Sequence, residues 1–281
     1  MPELPEVETI VRGVRPLIKN MVIKAWDFHR SDLRRPIPVD AIQSQLVGST
    51  VLDVRRRSKY IVIETTKGCA IVHLGMTGNL LFRNTADSLA PHTHFVIHLS
   101  DSGGGGGVYL HYIDPRRFGS CSYASLDTRL EDIPEFRQLG PEPLAHDFDL
   151  GQHLWKASRT RMVGIKPFLM NAQIVVGVGN IYAAESLFLA GINPKRAAKK
   201  VSLARYRILA EHIRLTLKKA IQAGGTTLRD FQNAQGELGY FRIELAVYDR
   251  AGEPCKHCKT SIKTFRQCGR STFYCPCCQK Y

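Results

Sequence analysis

Four cysteines late in the sequence constrain the fold of this chain more than any other feature. They form two pairs, Cys255-x-x-Cys258 and Cys275-x-x-Cys278, separated by 16 residues. Thiolates at this spacing lie on tight turns and complete a tetrahedral site for one zinc ion, as in a zinc ribbon. A site closed by four sulfur atoms leaves no open position on the metal, so we predict a structural role for the zinc. Cys277 lies beside the second pair and is an alternative ligand.

Other features of the sequence favour metal binding over disulfide bonds. The chain has eight cysteines but begins with no basic segment followed by an apolar run. It also lacks any stretch of about 18 consecutive apolar residues. We therefore expect no secretion signal and no membrane-spanning helix, and a reducing, cytoplasmic location in which cysteines bind metal.

The charge of the chain indicates a polyanionic partner. The net charge is +14 and the isoelectric point is about 9.6, a balance typical of proteins that bind nucleic acid or an anionic membrane surface. The basic residues are interleaved with aromatic residues and glycines in RRRSKY, DPRRFG and CGRSTFYC. This mixture suits phosphate contacts and base stacking better than a lipid surface, so we predict a nucleic-acid partner.

The hairpin predicted between the two cysteine pairs is strongly basic. It contains Lys259, Lys263, Arg266 and Arg270, and no acidic residue follows Cys255. A rigid basic hairpin of this kind is either a DNA-contacting finger or a solvated charged hairpin. Composition alone leaves both interpretations open.

The hydrophobic pattern predicts an α+β protein with several domains. Apolar residues at helical spacing from Val7 to Ile18 predict an N-terminal helix that anchors the start of the chain. Short segments rich in branched and aromatic residues between 21 and 123 predict an antiparallel sandwich or barrel. Two helices with candidate caps at Asn180 and Ser202 follow, before the cysteine-rich tail. We predict three domains, at 1–130, 131–245 and 246–281.

Several loop residues are candidate DNA contacts. Glycines precede the helix near Asn180, and the start of a helix suits a phosphate group, although close packing at a turn explains the glycines equally well. Met76, Arg116 and Phe118 lie in the predicted turns HLGMTG and DPRRFG. Such side chains either wedge into a DNA duplex or belong to the core, and the pattern alone favours the core for Met76 and Phe118.

Seven motifs occur in the order and spacing of a known family: PELPEVET, HLGMTG, DPRRFG, LGPEPL, VVGVGNIYAAESL, GGTTLRDF and the four-cysteine pattern with TFYC. Over nearly its whole length the chain resembles the formamidopyrimidine-DNA glycosylases, bacterial enzymes that repair 8-oxoguanine. Leu4 favours this family over its sister family, endonuclease VIII, which typically begins PEGPE. The resemblance implies an N-terminal helix, a two-sheet antiparallel β-sandwich, a helix-two-turn-helix domain and a zinc finger. It also implies a monomer acting on damaged double-stranded DNA.

The resemblance further implies a bifunctional chemistry, glycosylase and AP lyase. After removal of Met1, the amine of Pro2 attacks C1′ of the damaged nucleotide, expels the base and leaves an iminium ion, and β- and δ-elimination then cut the strand. Glu3 matches the acid that protonates the sugar ring oxygen, and Glu6 matches a second acid that helps to position the site. Lys59 matches the lysine of β-elimination, and Arg270 matches the arginine of δ-elimination; both also contact phosphate.

Other family positions map onto this chain as DNA contacts. The matching contacts are His73, His92, Arg116, Arg161 and Asn180, and the void-filling trio is Met76, Arg116 and Phe118. Glu185 matches a helix acid near the catalytic terminus, or is a solvated helix residue. Segment 224–241 is expected to form the loop over the flipped base.

Two alternatives to this enzyme remain open at the level of the sequence. One is a non-catalytic DNA-binding zinc protein with the same fold, against which the intact Pro2, Glu3, Lys59 and Arg270 argue. The other is a sister enzyme that prefers oxidised pyrimidines. No cofactor other than zinc is expected.

Overall fold

The structure, a computed structural model, describes residues 2–83, 89–101, 103, 107–225 and 245–280. The chain forms two units, Met1–Arg137 with Gly224–Phe241 and Gln138–Ala223 with Arg242–Tyr281. Met1 lies outside the described residues, as does most of the segment expected to cover the flipped base. The three predicted domain boundaries remain predictions.

The first unit begins with helix α1, Leu4–Ile18. Pro5 lies in its first turn, where proline interrupts no helical hydrogen bond. The backbone amide of Glu3 donates to Oε2 of Glu6 at 2.8 Å, which satisfies an amide at the helix start. The apolar stripe of the helix is buried: Leu4, Val7, Ile10, Val11, Val14 and Ile18. The predicted N-terminal helix is confirmed, and it fixes the start of the chain to the core.

The described part of this unit contains eight strands and one further α-helix. They are β1 (Val22–Phe28), α2 (Val39–Leu46), β2 (Val51–Arg57), β3 (Tyr60–Thr65), β4 (Gly68–His73), β5 (Asn79–Arg83), β6 (Thr93–Ser100), β7 (Val108–Ile113) and β8 (Ser120–Ala124). The strands pair into two antiparallel sheets, in the orders β1-β6-β7-β5 and β2-β3-β4-β8. Helix α2 was not predicted.

A single core joins the two sheets. Trp26 of β1 and Phe95 of β6 lie in it with ring centroids 5.8 Å apart, and Ile61 of β3 and Val72 of β4 come from the other sheet. Burying large branched and aromatic side chains between sheets is the main stabilising contribution in such a fold. The unit is therefore a two-sheet sandwich rather than a barrel, which confirms the predicted fold class.

The described part of the second unit is mainly helical. Its helices are α3 (Leu150–Ser158), α4 (Ile165–Leu169), α5 (Asn180–Leu189) and α6 (Leu203–Gln222). Ser202 caps α6 as predicted, because its side chain accepts a hydrogen bond from the amide of Arg205 at 3.4 Å. Asn180 is the first residue of α5, and Gly179 rather than Asn180 is its N-cap. None of the described helices combines the length and apolar character needed to cross a membrane.

The C-terminal hairpin consists of β9 (Lys263–Gln267) and β10 (Arg270–Tyr274). Cys268 and Gly269 form its turn with φ values of 48° and 75°. The hairpin and the cysteine knuckles share a core with α5, in which Phe188 packs with Ile262 and Phe273. The basic finger is therefore held on a helix rather than on its zinc site alone.

Candidate functional site

Pro2, the first described residue, is buried together with two carboxylates. Pro2 is buried, Glu3 is 2% exposed and Glu6 is fully buried. The helical turn brings the carboxylate of Glu6 back to the amide of Glu3. Gly225 lies against the same side chain, because a Cβ there would be 3.3 Å from Cγ of Glu6. Three members of the predicted catalytic set thus lie buried around the N-terminal end of one helix: Pro2 before it, Glu3 at its N-cap and Glu6 in its first turn.

Lys59 lies in the tight turn between β2 and β3. The preceding residue, Ser58, has a φ of 56°, the left-handed conformation typical of such turns. Arg56 donates from Nη1 to the carbonyl of Ser58 at 3.0 Å and from Nε to Oε2 of Glu8 at 2.8 Å. Arg56 therefore ties the Lys59 turn to α1, the helix that begins the chain.

His73 ends β4 opposite Tyr60, with ring centroids 4.8 Å apart. Its Nδ1 accepts a hydrogen bond from the amide of Gly75 at 2.9 Å. Burial, assisted by the cations of Lys59 and Arg34, lowers the pKa of His73 to about 4. The ring is therefore neutral near pH 7 and carries its proton on Nε2, which can donate to a phosphate oxygen. The structure also places Lys59 and His73 in one neighbourhood.

Asp114, a residue with no predicted role, organises three loops that carry predicted DNA contacts. It is fully buried. Its carboxylate accepts hydrogen bonds from Thr77 Oγ1 at 2.9 Å, the amide of Gly119 at 2.8 Å and the amide of Arg116 at 3.3 Å. Its own amide donates to the carbonyl of His92 at 3.1 Å. The signal in the sequence was the Asp-Pro pair of DPRRFG, since aspartate before proline favours a side-chain-stabilised turn.

The three predicted void-filling side chains are on the surface. Met76 is 36% exposed, Phe118 is 43% exposed, and the guanidinium carbon of Arg116 lies 4.9 Å from the Phe118 ring centroid. The loops of Met76 and Phe118 meet backbone to backbone, because a Cβ on Gly75 would lie 2.4 Å from the carbonyl carbon of Phe118. Met76 and Phe118 are therefore not core residues, and their side chains are exposed to solvent.

In the second unit, a buried lysine joins two predicted phosphate contacts. Lys166 is 1% exposed, and its Nζ donates to Oδ1 of Asn180 at 2.5 Å. It also donates to the carbonyl of Ser271 and to Oγ1 of Thr272, both at 2.9 Å. Because β10 begins at Arg270, this lysine connects the start of α5 to the strand that carries Arg270. In the sequence, only the position of this lysine within the apolar segment IKPFL indicated a paired, buried side chain, because buried lysines are rare unless paired.

Two other predicted residues of the second unit have different environments. Arg161 is exposed on the loop between α3 and α4. Glu185 is 6% exposed, and its carboxylate accepts the amides of Ala246, Val247 and Tyr248 at 2.7, 2.9 and 2.8 Å. Glu185 is therefore not a solvated helix residue, and it anchors the segment that leads into the finger.

The four predicted zinc ligands come together. Their Sγ atoms all lie within 4.8 Å of one another, with Cys255–Cys278 at 3.9 Å and Cys258–Cys275 at 3.4 Å. Four sulfur atoms about 2.3 Å from a tetrahedral zinc ion would be about 3.8 Å apart, so the cage fits the ion. Cys277 is exposed and is not part of this cluster.

The chemistry of the thiols also fits a cation. Hydrogen bonds with Thr260 lower the pKa of Cys258 to about 6, whereas burial raises the pKa values of Cys275 and Cys278. Four adjacent thiolates therefore form together only when a cation compensates their charge. Zinc would hold the two knuckles and the hairpin between them, and it has no open position for catalysis.

Three family models match this chain in succession. They are the formamidopyrimidine-DNA glycosylase N-terminal domain at residues 1–121, the formamidopyrimidine-DNA glycosylase H2TH domain at 139–232, and the zinc finger found in FPG and IleRS at 252–280. The chain is 47% identical over 280 residues to the formamidopyrimidine-DNA glycosylase of Alcanivorax borkumensis, with all of both chains covered. It is 46% identical to that of Nitrosococcus oceani, covering 99% of this chain and 100% of the relative.

Solved structures are similar over the same length. A complex of a Lactococcus lactis FPG mutant with Fapy-dG-containing DNA has a TM-score of 0.87 and 30% identity, with both chains fully covered. A complex of Lactococcus lactis Fpg with abasic-site DNA has a TM-score of 0.88 and 31% identity, covering 99% of this chain and 100% of that one. Fold and zinc centre together define a multidomain DNA glycosylase with a zinc finger, a class of base-excision repair enzymes. The chain belongs to the formamidopyrimidine-DNA glycosylase family.

Proposed function

We propose that this protein is a bifunctional DNA glycosylase and AP lyase that removes oxidised purines, 8-oxoguanine and formamidopyrimidines, from double-stranded DNA. The observation that carries the proposal is the burial of Pro2, Glu3 and Glu6 around the N-terminal end of α1. The names of the relatives, and the complexes of similar structures with Fapy-dG and abasic DNA, support damaged DNA as the substrate.

The first stage of the proposed reaction uses the amine at the start of the processed chain. Removal of Met1 leaves Pro2 with a secondary amine, which titrates near pH 8 and is partly neutral at pH 7. Its lone pair attacks C1′ of the damaged nucleotide as the bond from C1′ to the base breaks, and the base leaves with the proton that the amine nitrogen gives up. Glu3 protonates the ring oxygen as the sugar opens, which leaves an iminium ion between Pro2 and C1′. Glu6, bonded to the Glu3 amide, holds this turn in place.

The second stage cuts the strand. The iminium ion acidifies the hydrogen on C2′, so its loss expels the phosphate on the 3′ side, and a further elimination expels the phosphate on the 5′ side. Lys59 serves the β-elimination and Arg270 the δ-elimination, and both cations contact phosphate. One covalent bond to Pro2 therefore serves both activities.

DNA binding must offset the cost of extruding the target nucleotide, which is on the order of a few kcal/mol. Met76, Arg116 and Phe118 fill the space that the nucleotide leaves, and their exposed positions support this role. His73 donates to phosphate as a neutral ring. Further phosphate and strand contacts come from Asn180, Arg161 and His92.

We further infer that the protein acts as a monomer in the bacterial cytoplasm, associated with the nucleoid through DNA. The bacterial origin of its relatives supports this location. Analytical ultracentrifugation of the zinc-loaded protein should give the mass of one chain without duplex, and the mass of one chain plus one duplex when duplex is added. A concentration-independent dimer would contradict the monomer.

A cleavage assay tests the proposed substrate. Matched duplexes carrying 8-oxoguanine opposite cytosine, or thymine glycol, are incubated with the wild type and with the Glu3→Gln control. The expected result is rapid cleavage of the 8-oxoguanine strand with phosphate at both new ends, and little cleavage by the control. A strong preference for thymine glycol would overturn the substrate, and tight binding without cleavage would indicate a non-catalytic DNA-binding protein.

A further inference from the structure

A basic cavity in the second unit is separate from all residues assigned above. Its volume is about 260 Å³. It lies beside the segment between α5 and α6, at the point where α6 begins. Its charged and polar lining consists of Arg196, Lys200, Ser202, Arg205 and Lys280.

Among the residues that the structure describes, no carboxylate neutralises the four cations of the cavity. None of the residues that line it is acidic, and the sequence contains no acidic residue between Glu185 and Glu211. Within the described ranges, no carboxylate forms an ion pair with any of the four. Like charges around one cavity repel, and an anion bound among them would remove that repulsion.

The start of α6 adds to the positive potential. This helix runs for 20 residues from Leu203, and Ser202 caps it at the edge of the cavity. The N-terminal end of a helix carries a partial positive charge, which favours an anion and in particular a phosphate group. The charged side chains and the dipole of α6 therefore favour the same kind of ligand, an anion such as a phosphate group.

Buried hydrogen bonds hold the walls of the cavity in place. Asn193 Nδ2 donates to the carbonyl of Gln279 at 3.0 Å, and Gln279 Nε2 donates to the carbonyl of Ile192 at 2.9 Å. The Gln279 side chain also accepts the amide of Cys275 at 2.9 Å. These bonds fix the end of the zinc knuckle, and hence the backbone next to Lys280, against the loop after α5. The site is therefore pre-organised, which reduces the entropic cost of binding.

We propose that this cavity is a second phosphate-binding site, distinct from the residues assigned to the lesion. It takes a phosphate oxyanion, either a backbone phosphate of DNA away from the lesion or a free polyphosphate such as pyrophosphate. Phosphate is favoured over a carboxylate because its several oxygens can accept hydrogen bonds from multiple cations at once. The proposal goes beyond the glycosylase and lyase chemistry and does not depend on it.

A pair of matched double variants tests this site in the full-length, zinc-loaded protein. Lys200→Gln/Lys280→Gln removes two exposed cations of the cavity, and Lys218→Gln/Lys219→Gln removes two exposed cations of α6 elsewhere. Both have the same net charge, and zinc content and circular dichroism check that both are folded. Pyrophosphate binding is measured by calorimetry. Affinity for a short lesion-free duplex is measured by fluorescence anisotropy over a range of KCl concentrations.

The pyrophosphate and duplex measurements distinguish the two sources of phosphate. If the ligand is a DNA phosphate, the slope of log affinity against log salt becomes less negative by about 1–2 in the cavity variant, because each phosphate contact contributes about −0.9. The slope of the control variant should not change. If the ligand is a free polyphosphate, pyrophosphate affinity falls at least about tenfold in the cavity variant alone. The proposal is overturned if neither quantity changes, or if both variants change them equally.

Discussion

Arg56 and Glu8 form a partly buried ion pair, with Nε 2.8 Å from Oε2 and side chains that are 10% and 20% exposed. The pair joins β2, which leads into the Lys59 turn, to α1 at the start of the chain. A second pair, Arg15–Asp53, joins the same two elements at 2.6 Å, but its arginine is 50% exposed. The Arg56–Glu8 pair is therefore the better placed to fix Lys59 relative to the start of the chain.

Glu8→Gln should impair strand cleavage although Glu8 does not contact the reacting atoms. Glu8→Gln removes the anionic partner of the partly buried Arg56 and of the exposed Arg12, so we expect a loss of about 1–3 kcal/mol in unfolding free energy. We also expect about a tenfold slower β-elimination. Urea unfolding and single-turnover cleavage of abasic-site DNA measure the two effects. Asp53→Asn is the matched control and should lose at most about 1 kcal/mol. Equal losses in both variants would refute a positioning role for the Glu8 pair.

His73 should make the folded protein less stable in mild acid. An unfolded histidine titrates near pH 6.5, whereas burial holds the pKa of folded His73 at about 4. The unfolded chain binds more protons between these values, so this contribution to stability is complete above pH 6.5. It is lost as the pH falls from 6.5 to 4, by up to about 1.4 kcal/mol per pH unit. Urea unfolding across this range should show a steeper loss in the wild type than in His73→Gln.

His146→Gln, which makes the same change at an exposed histidine, is the matched control for the substitution. Because His73 is neutral at both pH values, His73→Gln should weaken binding to abasic-site DNA by the same factor at pH 6.5 and pH 8. A factor that grows on acidification would mean that His73 binds phosphate as a cation instead.

Asp114→Asn should disrupt the loops that carry the void-filling side chains. One oxygen of Asp114 accepts from Thr77 Oγ1 and the other accepts from the Gly119 amide. Because asparagine has only one side-chain oxygen, one buried donor is left unpaired, which costs about 1–3 kcal/mol of stability. We expect slower extrusion of the lesion, measured by the fluorescence of a 2-aminopurine placed next to it. The exposed carboxylate of Asp132, paired with Arg129, is the control, and Asp132→Asn should leave extrusion unchanged. Normal extrusion by Asp114→Asn would show that the loops do not need this carboxylate.

Cys258→Ser should release the zinc, while Cys277→Ser should retain it. The reason is that only the first of these two sulfur atoms belongs to the four-sulfur cage. Zinc stoichiometry and duplex affinity measure the outcome, and loss of the finger should weaken DNA binding with little change in the melting of the N-terminal sandwich. Full zinc occupancy in Cys258→Ser would mean that another residue replaces it.

The sequence predicted those elements whose signals are local. Helix α1 has an unbroken apolar stripe and a proline in its first turn, and α6 has a serine cap, so both were recognised from short-range patterns. Helix α2 was missed because its eight residues bury only Ile42 and Leu46, which is too short a pattern to show helical periodicity.

Residues that organise the candidate site were missed because their partners are distant in the chain. Thr77, which donates to Asp114, lies 37 residues away, and Ser271, which accepts from Lys166, lies 105 residues away. No periodicity or local motif encodes such a contact. The exposure of Met76 and Phe118 likewise depends on how two loops pack, which the sequence does not show. Because methionine and phenylalanine are usually buried, residue type alone favoured the core for both.

In the proposed reaction, the nitrogen of Pro2 forms the covalent bond to the sugar. Borohydride reduction during reaction with 8-oxoguanine DNA traps such an intermediate, and peptide mapping by mass spectrometry locates it. We expect a single adduct on the N-terminal Pro2 of protein that has lost Met1, and none in Pro2→Gly/Glu3→Gln. An adduct on an internal lysine, or full activity in protein that retains Met1, would contradict it.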